Sequence, residues 1–243
     1  MWQSFLQIWH TRDLRKSILF VLVMFLVFRM VAHIPVPGID SSELRRIFES
    51  NQFFGLLNIF SGGTIESFSI VALGVAPYIS ASIIFQLLGM VIPRFEAMMK
   101  EGESGQQRIN QYTRILTVPL ALLQGYGLVR LLGQSSQQFQ LSLGFYEIIA
   151  TMITLTAGTM FLMWIGELIS EKKIGNGVSL LIFAGIIAGL HRYVSQAIAT
   201  YDSSQVINLI LYAVILIVTI VGVVLITEGQ RNIPVVYARR VTS

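Results

Sequence analysis

Cysteine is absent from the chain and charge is scarce: 12% of the 243 residues are Asp, Glu, Lys or Arg, against 54% hydrophobic. Missing thiols exclude disulfides and thiolate metal centres. The three histidines, His10, His33 and His191, are scattered, so no histidine metal site is expected. Acids are missing where ion-coupled transporters and pumps need them. Asp and Glu fall in connections or at the ends of apolar stretches, with Glu66, Glu147 and Glu167 the nearest. An ionisable residue at membrane depth is the usual mark of an ion or proton path. HExxH, GxSxG and mid-span Ser/His or Asp/Asp constellations are also lacking. Catalysis therefore has little to stand on, and no catalytic residue, metal or cofactor is assigned. The start, MWQSFLQIWHTRDLRKS, lacks an apolar core followed by a small-residue cleavage site, so no cleavable signal peptide is expected.

What is present is apolar length. A soluble domain carries about 25% charged residues, so this composition describes an integral membrane protein. A span needs about 20 mostly apolar residues, and the candidates are 17–34, 75–92, 112–132, 147–167, 178–194 (short) and 206–227. Segment 60–74 is too short to span and too apolar for an ordinary loop. No strand alternation points to a barrel, so the expected class is an all-α, multi-pass helix bundle of six spans and one half-span. Twelve of the 17 Lys and Arg residues fall on one side of such a bundle: Arg12, Arg15, Lys16, Arg94, Lys100, Arg108, Arg114, Lys172, Lys173, Arg231, Arg239 and Arg240. The alternate connections hold Arg45, Arg46, Arg130 and Arg192, and Arg29 lies inside the first span. The bias predicts a cytoplasmic N-terminus and tail. Residues 228–243 are basic and polar after a span, which predicts the start of a cytoplasmic loop cut short, not a natural end.

The stretch FSGGTIESFSIVALGVAPYISASIIFQLLG, 60–89, is the irregular one. As one helix, 62–92 would stretch ~46 Å at ~1.5 Å per residue, against ~30 Å of hydrocarbon. Length favours a short helix from outside, a break at Gly74 and a full helix from 75; a Pro77-kinked single span is the plainer alternative. Ser61-Gly62-Gly63-Thr64 suits an entry turn. Interrupted backbone at membrane depth needs protein or a water-filled cavity around it. Val75 and Ile79 stand at i and i+4 on one helix face, as do Val178 and Ile182. Each pair reads first as packing or lipid contact. If both helices line one pore, the four side chains make an aliphatic collar that blocks water and ions by dewetting. Gly175-Asn176-Gly177 in KKIGNGVS reads as a turn that reaches positive φ cheaply. Arg29 reads as snorkelling to the interface, and Gln86 as a buried amide joining helices. The basic tail, Arg231, Arg239 and Arg240, reads as an orientation signal or a docking loop.

Five stretches carry a resemblance: FRMVAHIPVPGID (28–40), FSGGTIESFSIVALGVAPYISASIIFQLL (60–88), KEGESGQQRINQYTR (100–114), GTMFLMWIGELISEKKIGNGVSLLIFAGIIAGL (158–190) and EGQRNIPVVYAR (228–239). In order and over almost the whole chain, they resemble the SecY family of bacterial protein-conducting channel subunits. The resemblance implies ten spanning helices in two inverted halves, of which this chain holds the N-terminal portion, helices one to six. It implies a re-entrant plug helix at 60–74 with Gly62, Gly63, Gly74 and Pro77 as plug and hinge. It carries a pore ring onto Val75, Ile79, Val178 and Ile182, and a lateral gate wall onto 75–92 with Ser80 and Gln86. It implies docking of a ribosome or the SecA motor at Arg231, Arg239 and Arg240. SecE and SecG subunits, signal peptides and membrane lipids are the other implied partners, and the bacterial inner membrane the implied location. The chain departs from the family pattern at Gln106-Gln107, where many relatives have two basic residues, and at His191, where many have Pro. The rival expectations are a small-solute secondary transporter with a broken-helix site and a purely structural scaffold.

Overall fold

The computed structural model describes residues 11–37, 64–65, 67–134, 144–199 and 206–229. Among the described residues seven α-helices follow in order: α1 Arg12–Val31, α2 Ala76–Val91, α3 Pro93–Lys100, α4 Glu103–Gln134, α5 Phe145–Glu171, α6 Gly177–Ala199 and α7 Val206–Glu228. The apolar stretches read from the sequence lie in α1, α2, α4, α5, α6 and α7. Among the described residues the one β feature is an isolated antiparallel bridge between Pro35 and Ser69.

Helix ends follow local chemistry. Pro93 opens α3 in its first turn, where a missing N–H costs nothing. The α2–α3 junction there bends by 104°. A ring trio holds the corner: Phe85 lies 5.6 Å from Phe95 and 6.0 Å from Tyr112 between ring centroids. α4 has 32 residues, about 48 Å, and starts well before its apolar stretch. It is longer than ~30 Å of hydrocarbon, so its polar first turns, ESGQQRINQYTR, extend beyond an apolar layer.

By length and composition, α4, α5 and α7 are long and apolar enough to cross a membrane, and α2 with α3 adds a fourth if the bent pair is one span. The sequence pattern predicts six spans. α1 falls short because Arg12, Asp13, Arg15, Lys16 and Arg29 interrupt it, and α2 has 16 residues; in α6 the stretch Gly177–Leu190 is apolar.

The chain divides into two units, 1–192 and 193–243, with the boundary inside α6. In the first, α2 packs on α4, α4 on α5, and α1 on α5. Two apolar clusters form its core. One joins Val21 and Phe28 of α1, Val71 and Val75, Leu162, Ile165 and Ile169 of α5, and Leu181 of α6. The other joins Val36, Phe68, Ala72, Val129 and Leu132 of α4, and Leu155 of α5. In the second unit α7 is apolar nearly all round, the pattern of a membrane span.

Candidate functional site: the broken segment and the aliphatic cluster

Residues 64, 65 and 67–75 form consecutive turns, so the short helix expected over 60–74 is absent from its described part. The cause is long-range. Val36 N–H donates to Phe68 O (2.9 Å) and Ile70 N–H to Ile34 O (3.0 Å), and Ser67 Oγ donates to Ala32 O (3.3 Å). These bonds bind the segment to the chain leaving α1 and divert its backbone groups from helical pairing. Phe68 has φ +41° and Gly74 φ +57°. A left-handed φ is costly for a bulky residue; Phe68 holds it while 1% exposed in the second cluster. A Cβ on Gly74 would meet nothing within 4 Å, so glycine serves the backbone there, not the packing.

The turns run up to Val75, with Gly74 in the left-handed region, and α2 starts at Ala76. Pro77 follows in the first turn of α2, so it starts a helix and kinks none. Val75 precedes that helix as its cap, and its carbonyl accepts from Ile79 N–H (3.1 Å).

Val178 and Ile182 are positioned by the turn between α5 and α6. Asn176 Oδ1 accepts from Ser179 N–H (3.1 Å), an N-cap that starts α6. Ser170 Oγ accepts from Gly177 N–H (2.8 Å) and donates to Gly166 O (2.9 Å). The positive φ in this turn falls on Lys173, +56°, not on Gly175, Asn176 or Gly177 as expected. Gly177 is required for a different reason: a Cβ on it would stand 1.8 Å from Gly166 O.

These two constructions bring the predicted pairs together. Val75 is 7% exposed within the first cluster, and Ile79, Val178 and Ile182, each half-buried, pack against it. A small cavity, with ≈ 40 Å³ of space for water centres, lies beside them and is lined by Phe28, Val71, Gly74, Val75, Leu162 and Ile182 among others. At ~10–15 Å³ per water it has room for a few molecules, but its walls are mostly apolar, with Thr64 the polar side chain among them. Leu162 and Phe28 are absent from the residues picked out by sequence; nothing in their local pattern separates them from ordinary core positions.

The proposed gate wall behaves differently. α2 packs along α4, and Ser80 is half-buried. Gln86 is exposed and donates to Ser82 Oγ within its own helix (3.4 Å). In this chain it is therefore an exposed amide bonded within its own helix, not the expected buried amide between helices. An ion pair joins α4 to α5, with Arg114 Nε 2.6 Å from Glu167 Oε1. Arg29 lies half-buried in the last turn of α1. Gly62, Gly63, Glu66, Arg231, Arg239 and Arg240 lie outside the described residues.

An all-α bundle of apolar helices, with a broken segment at its centre and an aliphatic cluster where two helices start, defines a multi-helix membrane protein. The SecY family profile matches residues 69–243. The protein translocase subunit SecY of Corynebacterium glutamicum is 44% identical over 248 residues, covering 98% of this chain and 56% of that protein. The subunit of the same name from Pseudomonas aeruginosa is 45% identical over 232 residues, covering 94% and 52%. That of Vibrio cholerae is 44% identical over 233 residues, again covering 94% and 52%. The chain belongs to the SecY family. It spans about half the length of the curated relatives it matches.

Proposed function

We propose that this chain contributes the N-terminal half of the pore of a protein-conducting channel in a bacterial inner membrane. Unfolded secretory chains cross through it, and apolar segments leave sideways into lipid past α2 and α4. The observation that carries this reading is the meeting of Val75 and Ile79 with Val178 and Ile182 in one apolar cluster, in a chain of this family. A collar of branched aliphatic side chains excludes water and ions by dewetting and needs no specific ligand, so it can seal around any sequence in transit. The 60–74 segment acts as the plug, Gly74 and Pro77 mark its junction with the gate helix, and Ser80 and Gln86 lie on the gate wall. Its work is passage, not catalysis. Energy comes from partners, a ribosome feeding a nascent chain or the SecA motor, and SecE and SecG complete the assembly. The N-terminus and the basic tail face the cytoplasm, in keeping with the twelve-to-four charge bias.

The test replaces Ile79 and Ile182 with Asn in the assembled channel. A hydrated constriction should raise the resting ion leak and admit precursors with defective signal sequences. Unchanged membrane potential together with unchanged export of those precursors would count against a pore position for this cluster.

A further inference from the structure

Both halves of the collar are seated on the same helix. A Cβ built on Gly158 of α5 would stand 1.9 Å from Ile70 O and 2.7 Å from Ile70 C. Real Cβ atoms essentially never approach closer than 3.0 Å, so the missing side chain is what lets the turn segment lie directly on the helix. That segment has little freedom elsewhere. Ser69 and Val71 are 0% exposed and Ala72 1%, and the Pro35–Ser69 bridge holds it from the other side. Val75 follows within a few residues. Eight residues further along α5, Gly166 meets the start of α6: its carbonyl is the atom a Cβ on Gly177 would strike, and its own Cβ would lie 3.0 Å from Val178 Cγ2. One close approach fixes the root of Val75 and Ile79. The other fixes the root of Val178 and Ile182.

We infer that Gly158 and Gly166 are positioning residues for the collar, and that these two bare surfaces on α5 set the spacing between its walls. The inference rests on the channel reading given above. The Gly158 contact is with backbone, so no rotamer change can relieve it, whereas a Cβ on Gly166 meets a side-chain atom first and the Val178 backbone nitrogen at 3.4 Å. Gly158→Ala must move Ile70 O by more than 1 Å, from 1.9 Å to at least 3.0 Å, and the turn segment carries Val75 with it. Gly166→Ala is the mild counterpart, since Val178 Cγ2 at 3.0 Å has to yield only a few tenths of an ångström. Gly127→Ala is the control, because a Cβ there meets nothing within 4 Å. A dewetted constriction is governed by its width, so a small outward shift should register as ion leak.

The experiment uses the assembled, membrane-purified channel containing this chain, reconstituted in liposomes. Ion flux is recorded together with thermal stability and the distance between spin labels on cysteines placed at the exposed positions Leu87 of α2 and Phe183 of α6. The chain has no cysteine of its own, so these sites are unique within it. Gly158→Ala and, more weakly, Gly166→Ala should lengthen the label distance and raise the leak severalfold, with Gly166→Ala and Gly127→Ala keeping parental stability and Gly127→Ala also keeping the parental leak. If Gly158→Ala fails to assemble, Gly166→Ala decides alone. Parental leak in Gly166→Ala, or a raised leak without a change in label distance, overturns the inference. Ile79→Asn is measured alongside: if it raises the leak and the glycine variants do not, only the positioning role falls. If it too is silent, the collar itself is wrong.

Discussion

Glu167→Gln removes one charge from the contact that ties α4 to α5 across a long stretch of sequence. Arg114 Nε lies 2.6 Å from Glu167 Oε1, with side chains 45% and 25% exposed. Hydrogen bonds to charged groups contribute about 1.5–3 kcal/mol, while exposed ion pairs are worth about 0.2–1 kcal/mol. Partial exposure places this pair between those limits, and a coupling of about 1–2 kcal/mol is expected. The two single variants should not be equal. Arg114→Gln strands the more buried carboxylate, whereas Glu167→Gln leaves a long cation that can extend toward water. Arg114→Gln is therefore the more destabilising. The assay is a double-mutant cycle, with Arg114→Gln, Glu167→Gln and the double variant followed by reversible unfolding in bicelles. The charge swap, Arg114→Glu with Glu167→Arg, should recover part of the loss. Repeating the cycle at 1 M salt, where the Debye length is about 3 Å, should shrink the coupling by the share that meets water. Additivity of the single variants within about 0.3 kcal/mol, with no recovery on swapping, would refute the claim that this pair holds α4 against α5.

Two further outcomes follow from charge. Single cysteines at Gln106 and Asn176 should label only from the cytoplasmic side and one at Gln137 only from outside; labelling of Gln106 from outside would overturn the proposed orientation. Arg239→Glu with Arg240→Glu should weaken ribosome or SecA binding, most visibly at low salt, because basic loops hold phosphates or acidic surfaces electrostatically. Equal affinity of variant and parent at low salt removes the docking role.

The helices were legible in the residues themselves. Apolar runs of about 20 residues are local signals, and the helices begin and end within a few residues of them, except where α4 and α6 extend further and where charge and shortness weaken α1 and α2 as spans. Gly74 was legible too, because 62–92 is too long for one span and glycine is cheap at φ +57°. Other features depended on residues distant in sequence. The turns at 67–75 replace a short helix because residues 32–36 compete for their backbone groups. Gly177 is needed for the carbonyl of Gly166 and not for its own φ. Gln86 is exposed, which hydropathy along α2 does not reveal. The sequence shows two aliphatic pairs, each on one face of its own helix. Only the tertiary structure places them in one cluster, because periodicity fixes a side chain's direction around its own axis, while the meeting of two axes is set by where backbones can approach, here at Gly158 and Gly166 on a third helix.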